Sequence, residues 1–414
     1  MRRCGRLSLA AAIAFALAAS PARADAVAGQ LVVGLRHDVP AARAQSLVEH
    51  AGGRVTRRLG RIGADVVRPR SGHPLARLKS RLRALRDVRY AEPDFYLHAT
   101  ATPNDPFYAQ QYALGSSGTG ISAPPAWDTR TSCAKIAELD SGVQYDHPDL
   151  KGNVWKNSNE VAGNGKDDDK DGYVDDTYGV DIVDGKLSGT DGNGHGTHVA
   201  GIMAARGDNG LGIAGACWTG TVMPIRFLDD RGRGSTSDAV AGIEYAIDHG
   251  AKIANCSFGS SSKSSALQDA VDDAQDAGML LVVAAGNDGE DIDKHPVYPA
   301  SFTDGNILTV AATSRTGGLA SFSNYGKKAV DLAAPGDQIY STYLNSGYKS
   351  ESGTSMAAPM VAAAAAMLRQ ADSKLTYSQL RTILRDTTTP LGALSGKTVS
   401  GGLLDLDAAL AKAR

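Results

Sequence analysis

The chain has 414 residues, 42% of them hydrophobic and 21% charged, with a formal net charge of -2. Its length exceeds what one compact core usually holds, and its composition excludes general disorder. No run beyond the first residues approaches the roughly 18 apolar positions of a bilayer-spanning helix, so the mature chain is expected to carry no membrane anchor.

The first 24 residues run from Arg2 and Arg3 through an apolar stretch to Ala22-Arg23-Ala24. This is the pattern of a secretory signal peptide. The product is therefore expected to be secreted, extracellular or, in a Gram-negative cell, periplasmic. Cys4 leaves with the signal, and Cys133, Cys217 and Cys256 meet an oxidising compartment. Cys256 follows the apolar run Ile253-Ala254-Asn255 and reads as a buried free thiol, which leaves Cys133 and Cys217 as the expected pair.

Residues 25–102 carry 14 basic and 7 acidic side chains, whereas residues 103–414 carry 25 and 38. Such opposed blocks fit either a basic arm for nucleic acid or two domains that attract one another. A strand at 31–35, a helix at 41–51 closed by Gly52-Gly53, a second pair of strands, a helix at 74–86 and a strand at 88–96 give a β-α-β-β-α-β unit. That is a ferredoxin-like α+β pattern. It ends in Thr100-Ala101-Thr102-Pro103-Asn104, which reads as an exposed, cleavable linker.

From residue 103 onward, short apolar runs at 134–139, 222–227, 253–257, 280–285 and 307–311 alternate with helical stretches such as 235–249 and 264–278. Runs buried on both faces with helical crossovers predict an α/β domain around a mainly parallel sheet. Between them lies an acidic loop, 164–176, with carboxylates at alternate positions including Asp167, Asp169 and Asp171. Calcium favours six to eight oxygens of this kind. The match to an EF-hand is partial, because the twelfth position from Asp167 is Tyr178.

Three segments carry reactive groups. Asp140 ends the run Ile136-Ala137-Glu138-Leu139, at the C-terminal end of a buried strand, where parallel sheets place their active sites. His195 lies in Asp191-Gly192-Asn193-Gly194-His195-Gly196-Thr197-His198, which lacks the Glu of the zinc-binding helix motif. Ser355 lies where Ser352-Gly353-Thr354-Ser355-Met356-Ala357-Ala358-Pro359 enters an Ala-rich helix, whose first N–H groups favour developing negative charge. A serine hydroxyl needs a base to take its proton, and that base needs an acid to orient it.

Together the three segments resemble the subtilisin-like serine endopeptidases, the subtilases, in the order Asp, His, Ser. The resemblance implies a subtilisin-like three-layer fold over residues 103–414, with Asp140 as orienting acid, His195 as general base and Ser355 as nucleophile. It implies Asn287, after Leu281-Val282-Val283-Ala284-Ala285-Gly286, as oxyanion donor. It implies a peptide groove walled by Ser257, Phe258, Gly259, Ala284, Ala285 and Gly286, with Val297 at the base of the pocket for the residue before the scissile bond. A second calcium site is implied at Asp105, Asp149 and Asn209 with the carbonyls of Arg206, Leu211 and Ile213. Calcium is then structural, and no organic cofactor is expected.

Residues 25–102 are similar to the family's inhibitory and chaperone-like propeptide, and Val88-Arg89-Tyr90-Ala91-Glu92-Pro93-Asp94 to its last strand. The charge asymmetry is then that of a domain docked on its own enzyme, with no need of nucleic acid. The expected protein is a monomeric zymogen acting on proteins or peptides. Two alternatives stand beside it. One is an inactive subtilase scaffold that binds proteins, against which the full set of reactive residues speaks. The other is an α/β-hydrolase esterase, whose Gly-x-Ser-x-Gly elbow and Ser, Asp, His order are absent.

Overall fold

The computed structural model describes residues 26–36, 38–95, 101–185 and 189–413, so the expected signal segment lies outside the described residues. The chain separates into two compact units, one up to residue 98 and one from residue 99. Among the described residues no helix is long and apolar enough to cross a membrane.

The first unit contains β1 (Ala26–Leu35), α1 (Ala41–His50), β2 (Gly53–Leu59), β3 (Ala64–Pro69), α2 (Leu75–Arg83) and β4 (Val88–Phe95). Its sheet is antiparallel in the order β2-β3-β1-β4, the ferredoxin-like arrangement. Alternation explains the core. Leu31 and Val33 of β1 and Val67 of β3 turn inward to meet Val48 of α1 and Leu78 and Leu82 of α2. Both helices start directly after a proline, Pro40 and Pro74, whose fixed φ suits the approach to a first turn.

The second unit contains α3 (Ala123–Trp127), β5 (Ile136–Asp140), β6 (Val180–Asp181), α4 (His195–Ala204), β7 (Val222–Arg226), α5 (Thr236–Asp248), β8 (Ile253–Cys256), α6 (Ser265–Asp276), β9 (Leu280–Ala284) and β10 (Ile307–Thr313). It continues with β11 (Leu332–Pro335), the hairpin β12 (Ile339–Tyr343) and β13 (Gly347–Glu351), α7 (Thr354–Ala371), α8 (Tyr377–Asp386), β14 (Thr389–Pro390), β15 (Gly402–Leu403) and α9 (Leu406–Lys412). A nine-stranded sheet runs β14-β15-β11-β10-β9-β8-β5-β7-β6 and is parallel except where β14 meets β15.

The five apolar runs read from sequence become β5, β7, β8, β9 and β10, buried on both faces. Ile136 and Ile253 point into a core shared with α4 and α7, while Ala137, Leu139, Ala254 and Cys256 point into one shared with α5 and α6. Helices on both faces make three layers. Cys133 and Cys217 form a disulfide with Cα atoms 5.9 Å apart, and Cys256 is free and buried.

Strand order positions the site. After β5 the chain adds β7 and β6 on one side, then β8, β9 and β10 on the other. The direction of winding therefore reverses between β5 and β8, where a crevice opens at the carboxyl ends of the strands. Helices α5, α6, α8 and α9 begin with capping side chains, from Ser235, Ser264, Thr376 and Asp405. The two helices that open on the crevice, α4 and α7, begin instead after Gly194 and Gly353.

Candidate active site

Asp140 is the last residue of β5 and fully buried. His195 is the first residue of α4, and its Nδ1 lies 2.7 Å from Oδ1 of Asp140. Facing a carboxylate, that nitrogen is the donor, which leaves Nε2 as the basic nitrogen. Burial alone lowers the pKa of His195, but the charge of Asp140 and its hydrogen bond outweigh burial and raise it to about 9. The Ser141 N–H also donates to Asp140 Oδ1, at 2.7 Å.

Two glycines let the helix come this close. A Cβ on Gly196 would collide with the Gly142 carbonyl oxygen, and one on Gly142, at φ +98°, would lie 2.6 Å from the Gly189 carbonyl oxygen. Asp191 then organises the entry to α4. Its Oδ1 accepts from the N–H groups of Asn193 and Gly194 and from the Ser141 hydroxyl, and its Oδ2 accepts from the N–H and hydroxyl of Thr197. Sequence reasoning named Asp191 only as part of the motif; an Asp four residues before a helical His is the signal for its role in organising the entry to α4.

Ser355 lies in the first turn of α7, where its N–H has no partner within the helix. Its hydroxyl donates to the Ser257 carbonyl at 3.3 Å, and the Ser257 hydroxyl donates to the Ser355 carbonyl at 3.2 Å. Asn287 follows β9. Its Oδ1 accepts the Thr354 N–H at 2.8 Å and the Thr354 hydroxyl at 3.0 Å, and Thr354 Oγ1 in turn accepts the Gly286 N–H at 3.1 Å. With its oxygen held twice, Asn287 keeps its amino group beside Gly353.

A cleft of about 630 Å³ runs along this edge, lined by His195, Ser257, Phe258, Gly259, Tyr298 and the 231–236 segment. Phe258 packs edge-on against Phe227, with centroids 4.7 Å apart. Ala284, Ala285, Gly286 and Val297 fall outside the lining. Gly286 adjoins Thr354 instead, and the position a Cβ would take on Gly259 is 2.8 Å from Val297 Cγ1. Arg231 and Arg233, which sequence reasoning did not single out, also line the cleft, with Arg233 paired to Asp229.

In the acidic loop, Asp169 and Asp171 meet His249, and Asp169 also meets Glu160 and Asp176, in groups compact enough to hold a metal ion. Asp169 Oδ1 and Asp171 Oδ2 are buried without a hydrogen-bond partner, and burial, then neighbouring carboxylates, raise the pKa of Asp171 to about 6. Asp167 stands outside both groups, its carboxylate accepting the N–H groups of Asp171 and Gly172. Glu160 and His249 were missed because they lie outside the acidic loop and reach it only through folding, whereas Asp176 lies within the loop but was not singled out.

Asp105 and Asp149 are buried beside the 208–213 loop. Asp105 accepts the Asp208 and Asn209 N–H groups, and Asp149 accepts from Asn209 Nδ2 and the Ile213 N–H. Burial raises the pKa of both carboxyls. Arg206 joins through its N–H, which donates to the Asp149 carbonyl, and Leu211 through its N–H on Asn209 Oδ1.

A family model described as the subtilase family matches residues 132–402, and one described as the fervidolysin N-terminal prodomain matches residues 14–94. Thermitase of Thermoactinomyces vulgaris is 41% identical over 288 residues, 69% of this chain and 91% of that protein. An extracellular protease of Xanthomonas campestris pv. campestris is 35% identical over 388 residues, 85% of this chain but 64% of that protein, so the chain spans less than two thirds of that relative. Among solved structures, proteases from Pseudoalteromonas arctica superpose with a TM-score of 0.66 at 31% identity, covering 76% of this chain and 100% of that one. The matched span holds Asp140, His195, Asn287 and Ser355 in one domain behind a matched prodomain, and the chain belongs to the subtilase family.

Proposed function

We propose that this chain is a secreted serine endopeptidase made as a zymogen, with residues 25–102 as its inhibitory propeptide and residues 103–414 as the enzyme. The observation that carries the reading is the Asp140–His195 hydrogen bond at the winding reversal, beside a cleft lined by both His195 and Ser257, to which Ser355 at the start of α7 is hydrogen-bonded. In this reading the Ser355 hydroxyl leaves Ser257, transfers its proton to His195 Nε2 and attacks the carbonyl carbon of a bound peptide. Asp140 holds the ring and stabilises the imidazolium. The oxyanion lies between the Ser355 N–H and the Asn287 amino group, both of which are fixed before substrate arrives. His195 then returns the proton to the leaving amine, and water repeats the sequence to release the acyl group.

The extended cleft beside Ser257, Phe258 and Gly259 suits a peptide laid along a strand edge. With Val297 against Gly259, an apolar or medium-sized side chain is the preferred residue before the scissile bond. A panel of short peptides tests this, and faster cleavage after Lys, Arg, Asp or Glu would refute it.

The hard oxygen donors of Asp169, Asp171, Glu160 and Asp176, two of them with orphaned buried oxygens, suit calcium, as do the paired buried carboxyls Asp105 and Asp149. When bound there, calcium supplies cross-links between loops and takes no part in the chemistry. Export through residues 1–24 is supported by the relative described as an extracellular protease.

The decisive experiment treats the secreted protein and its Ser355→Ala variant with a fluorophosphonate. Labelling of the parent alone, together with hydrolysis of a denatured protein and retention of residues 25–102 only in the variant, is expected. An unlabelled parent would replace this reading with that of a binding scaffold.

A further inference from the structure

Glu138 occupies the middle of β5, an uncommon place for a carboxyl. It is 1% exposed, two residues before Asp140, and paired in register with Asn255 of β8, which is 0% exposed. Residues two apart in a strand share a face, as do partners in a parallel ladder, so Glu138, Asp140 and Asn255 all look toward α4 and α7. The alternation of neighbouring residues between the two cores agrees: Ile136 and Ile253 lie in the core on that side, and Leu139 and Cys256 in the other.

Both carboxyl oxygens of Glu138, the Oδ1 of Asn255 and the Oδ2 of Asp140 are buried without a full hydrogen bond among the described residues, the Ala200 N–H of α4 being the one donor near Glu138. Acceptors gathered on one buried face without a hydrogen are costly, and one proton on Glu138 relieves the conflict. The surroundings supply the reason for that proton. Burial first, then the charges of Asp140 on its own strand and Asp191 before α4, hold the Glu138 pKa well above the usual carboxylate range. His195 is engaged by Asp140, Pro224 of β7 offers no charge, and the buried positions of α7 carry no titratable side chain.

The remaining polar atoms form a directed chain. Asn255 Nδ2 donates to Ser257 Oγ at 2.9 Å, and Ser257 Oγ donates to the Ser355 carbonyl at 3.2 Å. We propose that Glu138 is a positioning residue that stays protonated and donates to Asn255 Oδ1, so fixing the direction of the hydrogen-bond chain that runs through Ser257 to the turn of Ser355. An ionised Glu138 would draw the Asn255 amino group to itself and turn the carboxamide oxygen toward Ser257. The Ser257 hydroxyl would then donate to Asn255, and the Ser355 carbonyl would lose its partner.

The proposal rests on Ser355 being the nucleophile, and its test separates the two. Wild type, Glu138→Gln and Glu138→Met are compared as secreted, matured proteins. The Gln amide can still donate to Asn255, so Glu138→Gln is expected to keep kcat/KM within about twofold. Glu138→Met removes the donor at similar volume and is expected to lower kcat/KM and the rate of fluorophosphonate labelling about tenfold, the size of one lost hydrogen bond. Difference infrared spectra of wild type against Glu138→Gln are expected to show the carbonyl stretch of a protonated carboxyl that only wild type has. Equal loss in both variants, full activity of Glu138→Met, or no such band would overturn the proposal. If Glu138→Met does not fold, the infrared comparison decides alone. A wild type that takes no label but shows the band would sink the peptidase reading and leave Glu138 protonated, with no nucleophile to position.

Discussion

Thr354 gives both its backbone N–H, at 2.8 Å, and its hydroxyl, at 3.0 Å, to the carboxamide oxygen of Asn287. An amide whose oxygen is held twice cannot rotate freely, so its N–H groups stay beside Gly353, where the proposed oxyanion would form. Replacing Asn287 by Ala is expected to lower kcat on the order of 10² to 10³-fold with little change in KM or melting temperature. Steady-state kinetics beside a thermal melt check this, and a change confined to KM would contradict it.

His195 gives two opposed pH effects. Its pKa is raised in the fold from 6.5 to about 9, so protonated His195 stabilises the folded state fully below about 6.5, and that contribution is lost as pH climbs to about 9. Activity moves the other way, since only the neutral ring accepts the Ser355 proton. Wild type is expected to gain kcat/KM and lose melting temperature across this interval. Asp140→Asn should flatten the stability change and lower kcat about 10⁴-fold. Parallel pH series of melts and rates test both.

Chelation should destabilise the enzyme domain. A site filled at a hundred times its dissociation constant contributes about 2.7 kcal/mol, and its loss should lower the melting temperature by roughly 5 °C or more. Asp169→Asn and Asp149→Asn are each expected to remove part of the calcium response, and together all of it. Differential scanning calorimetry with EGTA and with added calcium is the check, and an unchanged midpoint would refute both sites.

The disulfide closes a long loop, since Cys133 and Cys217 are 84 residues apart. In the chain-entropy account a cross-link of that span stabilises by about 4.6 kcal/mol. The double variant Cys133→Ala, Cys217→Ala is expected to lose stability of this order while keeping its active-site titration with a fluorophosphonate. Denaturant unfolding of both proteins measures the difference.

Local pattern made part of this legible in sequence. The five central strands are apolar because both faces are buried, and Asp140, His195 and Ser355 each sit in a short motif that states its own backbone geometry. Asn287 was singled out only by the family resemblance, since an Asn after glycine just beyond a strand is locally an ordinary turn residue. The rest depends on chain segments far apart. His249 joins Asp169 and Asp171 from the end of α5, some eighty residues away, and nothing near it in sequence marks it as a ligand. Glu138 was hidden for the opposite reason. It sits inside a run that reads as apolar, and its meaning comes from the register with Asn255, which only strand pairing fixes. The β12–β13 hairpin was likewise invisible, being half polar and packed on α4 through Ser341 and Thr342.

Helix α7 is buried over most of its length, from Thr354 through Leu368, and seven of those positions are alanines that let it lie close against β8, β9, β10 and β11. A helix so enclosed has no sub-global way to open, so its amide hydrogens exchange with solvent only when the whole domain unfolds. For a protease surrounded by copies of itself, this sets the order of self-digestion. The surface loops are cut first, and the segment bearing Ser355 is the last stretch of chain that another copy can reach.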